Sequence, residues 1–173
     1  MKAFKIPPKR FFELFGDKPV ELKPFDPKAL VVANEYLHHL NEFLNSWDVT
    51  AELFGSTPLR IAGKGEFEYA VYLKSKDWYE VITALARRYK NVWTIQSDIV
   101  VITDEFQGHS IEIIALRGHR AKINKAIMVA LESDKALLKR YEELKFKYAY
   151  AKKDYYYQKN KFFYELLKDV PES

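Results

Sequence analysis

The sequence predicts an α/β fold, α+β in the stricter sense: a mixed sheet of about five strands flanked by helices, closed by a long basic helix. Three observations carry this expectation. β-rich or alternating segments recur at residues 50–54, 66–73, 92–95, 98–103 and 110–116. Helical apolar spacing occupies residues 27–46, 77–89 and 119–131, before, between and after those segments. A fourth helical pattern, residues 134–168, is the longest element of the chain.

Composition narrows the class. At 173 residues, with 48% hydrophobic and 30% charged residues, the chain reads as one globular domain, 1–173, able to bury a core. Residues 1–19 are read as an N-terminal extension and 134–168 as the C-terminal helix. No run of eighteen apolar residues exists, so no membrane partner is expected. The start, M-K-A-F-K-I-P-P-K-R, lacks the apolar segment of a secretory signal, and the expected compartment is the cytoplasm. The absence of cysteine excludes disulfides, a thiolate zinc site and a cysteine nucleophile. Charge is uneven: residues 120–168 carry 13 Lys/Arg against 6 Asp/Glu. That asymmetry suits RNA along the basic C-terminal helix. It suits equally a solvated, lysine-rich helix surface.

Taken in order, the elements follow from local chemistry. Phe11, Phe12, Leu14 and Phe15 predict one apolar helical turn, stopped by Gly16 and Pro19. Residues 20–27, V-E-L-K-P-F-D-P, begin as an alternating strand and end in a turn set by two prolines. Asp26 is the expected N-cap and Pro27 the first residue of the next helix. Leu30, Ala33, Leu37, Leu40 and Leu44 form its apolar stripe. His38 and His39 stand about 100° apart on it, which disfavours joint metal binding. Trp78, Val81, Ile82, Leu85 and Tyr89 mark the buried stripe of helix 77–89. Residues 104–108 supply a turn before the strand S-I-E-I-I-A-L, and Ser133-Asp134 caps the last helix. In that helix Tyr141, Tyr148, Tyr155 and Phe162 recur every seven residues. Such a stripe packs on a sheet or helix; the alternative is stacking on bases.

The chain is organised around residues 54–68, F-G-S-T-P-L-R-I-A-G-K-G-E-F-E, which hold three of its six glycines. That density suits a backbone that closely approaches a ligand. Glu66 and Glu68 alternate on the following strand and share a face, and Glu112 stands on a later strand. A turn that can hold phosphate, followed by carboxylates on one face, is what Mg²⁺- or Mn²⁺-assisted nucleotide chemistry needs. Ser56 would bond a phosphate oxygen, and Arg60 and Lys64 would balance its charge. The alternative makes Glu66 and Glu68 the solvent face of an edge strand, Glu112 a surface residue, and Arg60 and Lys64 plain loop residues. His109 and His119 flank the last strand as secondary metal or acid–base candidates. Ser56 lacks a G-x-S-x-G elbow and is not read as a nucleophile.

An apolar residue, Gly55-Ser56, nine residues and then Glu66-Phe67-Glu68 resembles the signature of the nucleotidyltransferase superfamily. A closer resemblance, over residues 20–167, is to the GrpB family within it. Its marks here are residues 20–27, the turn Gly55-Ser56-Thr57, Lys64 before the acidic strand, and Tyr141, Leu144, Lys145, Tyr155, Lys159 and Phe162 near the end. Phe54, Gly65 and Glu68 stand where that family usually has histidine, proline and aspartate. The resemblance implies transfer of a nucleotidyl group from a nucleoside triphosphate to an unknown acceptor. It implies Glu66, Glu68 and Glu112 as catalytic and metal-holding residues, and Gly55, Ser56, Thr57, Arg60 and Lys64 around the phosphates. The other expectation is a catalytically degenerate module on the same fold, binding a nucleotide, another phosphorylated small molecule or RNA.

Overall fold

A computed structural model describes residues 6–168. In chain order its elements are α1 (Lys9–Phe12), α2 (Pro27–Leu44), β1 (Ala51–Phe54), β2 (Phe67–Leu73) and α3 (Trp78–Tyr89). There follow β3 (Val92–Ile95), β4 (Ile99–Phe106), β5 (His109–Arg117), α4 (Gly118–Ser133), α5 (Lys135–Tyr148) and α6 (Lys152–Lys168). They pack as two compact units: Pro24–Lys122, and residues 6–23 together with 123–168. The expected class, a mixed sheet flanked by helices, is what the chain adopts.

The Pro24–Lys122 unit holds one five-stranded sheet in the order β1-β2-β5-β4-β3. β2 and β5 run parallel at its centre, and the other neighbours are antiparallel. Alternation divides the side chains between two faces. On one face Phe67, Tyr69, Val71, Ile111, Ile113 and Ile102 form a core with Ala33, Tyr36 and Leu40 of α2 and Val81 and Leu85 of α3. On the other, Ala70, Ile114 and Leu116 pack with Phe54, Tyr72, Ile99, Val101 and Ala121. Burial on both faces explains why β2 is almost wholly apolar. α2 begins as expected: Asp26 accepts from the Lys28 amide at 2.9 Å, with Pro27 in the first turn.

Several expectations need correction here. Residues 20–27 do not form a strand; only Lys23 makes an isolated bridge, because the prolines remove ladder donors. The turn expected at 104–108 shrinks to Gln107-Gly108, both at positive φ (49° and 77°). That is the two-residue hairpin geometry whose twist matches the flanking strands, and it leaves Asp104 and Glu105 inside β4. The loop after Gly55 is partly core, since Leu59, Ile61 and Ala62 are buried.

The helix expected over 134–168 is two helices, α5 and α6, separated at Ala149–Ala151. Asp134 caps the first, accepting from the amides of Ala136 and Leu137 at 2.8 and 3.0 Å. No Gly or Pro marks the break; the segment after α1 supplies it. Val20 donates to the Ala149 carbonyl at 2.7 Å, and Lys152 and Lys153 donate to the Lys18 and Gly16 carbonyls at 2.8 and 3.0 Å. Both facing helix ends are thereby satisfied without helical continuation. Lys153 reinforces the contact, 2.7 Å from Asp17 and 3.3 Å from Glu13. The heptad stripe folds on itself, with the Tyr141 and Phe162 rings stacked at 5.4 Å. Tyr141, Tyr155 and Phe162 are buried, which assigns these three rings to packing rather than to bases.

Candidate functional site

Gly55 leaves β1 at φ +77°. A Cβ there would lie 2.0 Å from Oε2 of Glu68, so the glycine gives that carboxylate its room. The register explains the meeting, because Phe54 pairs with Glu68 across β1 and β2. Glu68 in turn pairs with Glu112 across the parallel strands, and Glu112 with Thr103 of β4. Neighbouring strands lie about 4.8 Å apart and paired residues share a face, so two carboxylates stand side by side on the face opposite α2 and α3. Asn91 donates to the Thr103 hydroxyl beside them.

The turn after Gly55 is closed by two backbone bonds. The Arg60 amide donates to Thr57 and the Ile61 amide to Ser56, each at 3.2 Å. Gly63 returns against Ser56, where a Cβ would come within 2.9 Å of the serine Cβ. Arg60 projects into solvent. Lys64 pairs with Glu66, its Nζ 2.6 Å from Oε2. That oxygen is buried and accepts no aligned hydrogen bond. The expected residues therefore arrive in two groups: Glu68 and Glu112 in register beside Gly55, and Glu66 engaged by Lys64 one residue before β2.

Among the described residues no three His, Asp or Glu side chains gather closely enough to hold a metal by themselves. The donor set still suits Mg²⁺, a hard cation usually held by one or two carboxylates together with substrate phosphates rather than by a protein cage. The Glu66 carboxylate has the same oxygen chemistry but is engaged by Lys64.

His109 lies on the face opposite Glu112, its ring stacked on Phe67 at 4.5 Å. His119, in the first turn of α4, has both ring nitrogens buried and without a hydrogen-bond partner. Sequence reasoning missed a polar pair in the helix-covered core. The Tyr36 hydroxyl donates to Asp104 at 2.8 Å, and that of Tyr69 to the Ala33 carbonyl at 2.8 Å. Burial first, and the Asp104 contact second, push the Tyr36 hydroxyl far above the usual tyrosine range; burial does the same to Tyr69. Reading residue 104 as a turn hid this pair.

The site is thus an acidic, oxygen-donor corner on a mixed sheet, entered by a Gly-Ser turn. No family model matches the chain, and no curated protein matches it. Among solved structures it is similar to a crystal structure of the Cid1 poly(U) polymerase with Mg and 3′-dATP bound, at TM-score 0.46 and 15% identity. The likeness covers 79% of this chain and 47% of that one, so the chain spans about half the length of that protein. No helix among the described residues is long and apolar enough to cross a membrane.

Proposed function

We propose that the chain is a nucleotidyltransferase of the GrpB type, transferring a nucleotidyl group from a nucleoside triphosphate to an acceptor. The observation that carries this reading is the register of Glu68 with Glu112 beside a glycine whose Cβ position the Glu68 carboxylate fills. Glu68 and Glu112 would hold Mg²⁺ or Mn²⁺, with Glu66 as a third ligand. Such an ion would supply neutralisation of phosphate charge; the acceptor hydroxyl would attack the α-phosphorus in line and pyrophosphate would leave. Gly55, Ser56 and Thr57 line the turn that would meet the phosphates. Arg60 and Lys64 would balance the charge, and one carboxylate would take the acceptor's proton. A cytoplasmic location accompanies this reading.

Calorimetric titration of ATP, GTP, CTP and UTP, with and without Mg²⁺, into wild type and Glu68→Gln tests it. Metal-dependent binding that weakens by about tenfold or more in the variant supports a transferase site. Binding indifferent to both metal and substitution favours the second reading: a module that holds a nucleotide, phosphometabolite or RNA without transfer. The Lys64–Glu66 pair speaks for that alternative, because it occupies one of the expected ligands.

A further inference from the structure

Of the chain's three tryptophans, the fold leaves one bare. Trp78 is buried, Trp47 donates to Glu80 at 2.8 Å, and Trp93 is 72% exposed. Trp93 stands on β3, the sheet edge farthest from the Gly55 turn and within the same Pro24–Lys122 unit. A bulge fixes its face. Val92 pairs with Ile102 and Thr94 with Val101, so Trp93 and Thr94 together oppose Val101. Val101 packs with Ala70 and Ile114, each two residues along its strand from Glu68 or Glu112 and so on the carboxylate face. Val92 packs instead into the helix-covered core, and alternation from it gives Trp93 the same assignment. A row of side chains leads from the site toward this edge. Glu68, Glu112 and Thr103 pair in succession, and Asn91 extends the row by donating to the Thr103 hydroxyl. Lys90, just before Asn91, is exposed and has no acidic partner among the described residues.

In-line displacement puts the attacking and leaving oxygens on opposite sides of the phosphorus. With the leaving pyrophosphate at the Gly55-Ser56 turn, on the β1 side of the carboxylates, the acceptor lies on the β4–β3 side. β3 is two strands from β5, about 10 Å across the sheet, a gap that one nucleotide unit bridges. Resting on the transferase reading above, we propose that the acceptor is the 3′ end of a single-stranded nucleic acid, with its terminal base stacked on Trp93. An exposed indole stacks on the face of any base with little regard to sequence. Lys90 meets the backbone phosphate on the same side. The terminal 3′ hydroxyl oxygen bonds to the α-phosphorus, pyrophosphate leaves toward the Gly-Ser turn, and the hydroxyl proton passes to a carboxylate of the corner.

The test titrates labelled single strands of about eight nucleotides, read by fluorescence anisotropy, and Mg-ATP, read by calorimetry. The proteins are wild type, Trp93→Ala and Trp93→Phe, with circular dichroism to establish folding. One strand is complete, a second lacks the base of its 3′-terminal nucleotide, and a third lacks a base in the middle. Trp93→Ala should weaken the complete strand by about tenfold or more, and Trp93→Phe, which keeps a ring, should retain most of the affinity. Removing the terminal base should cost wild type a similar factor and Trp93→Ala nothing further. Removing the middle base should leave the Trp93→Ala effect in place. Mg-ATP affinity should be the same in all three proteins. Equal affinity of wild type and Trp93→Ala for the complete strand overturns the stacking platform and leaves the transferase reading standing. A Trp93→Ala effect that vanishes with the middle base, or that falls on Mg-ATP, overturns the assignment of Trp93 to the acceptor's end. Absence of Mg-ATP binding to wild type sinks the transferase reading, and the acceptor assignment with it.

Discussion

Gly55 and Gly108 both sit at φ +77°, but only at Gly55 would a Cβ meet another atom within 4 Å. Alanine at either position is strained by about 1–2 kcal/mol. The atom that Gly55→Ala would strike is the mobile end of the Glu68 side chain, which can move aside. Urea unfolding should therefore show similar losses for Gly55→Ala and Gly108→Ala. Mn²⁺ affinity should fall in Gly55→Ala alone, and equal affinity in the two variants would detach the glycine from the site. Tyr36 makes a separate prediction at high pH. Its folded-state pKa is raised above the unfolded value, so it stabilises the fold below about pH 10 and that contribution is lost as pH rises further. Tyr36→Phe should flatten the alkaline loss of stability above pH 10; an unchanged slope would assign it to other groups. The Gly-Ser turn and the three glutamates were legible because local spacing encodes a turn and a strand face. The Lys64–Glu66 engagement was not, since side-chain choice of partner inside a glycine-rich loop leaves no periodic trace.

The strands and helices of the Pro24–Lys122 unit follow from period and caps, and their bounds fall within a few residues of the sequence reading. The α5–α6 break does not. It comes from backbone bonds to residues more than a hundred positions earlier, which no window over residues 134–168 contains. The amides of Lys152 and Lys153 should then resist hydrogen exchange despite lying in a helix's first turn, since the Lys18 and Gly16 carbonyls accept from them. Free exchange at Lys152, measured by NMR, would argue for a continuous frayed helix instead. Phe162, buried and stacked on Tyr141, should cost about 3–5 kcal/mol when cut to alanine. The Lys153 ion pairs to the exposed Glu13 and Asp17 should contribute little, because water screens them.

Across the whole chain, positive charge gathers in residues 120–168 while the acidic corner lies in the Pro24–Lys122 unit. An RNA acceptor held by the basic helices would bind with an affinity that falls steeply with salt. A small-molecule acceptor would show little such dependence. The central claim is narrower and more direct: Glu68 and Glu112, in register beside Gly55, hold a divalent cation with a nucleotide's phosphates. Crystals grown with Mn²⁺ and a non-hydrolysable nucleoside triphosphate, measured for manganese anomalous scattering, test it at the atoms concerned. The account predicts an anomalous peak about 2.1 Å from a carboxylate oxygen of each glutamate, with phosphate oxygens completing the shell. A nucleotide bound elsewhere, or manganese away from both carboxylates, would contradict it.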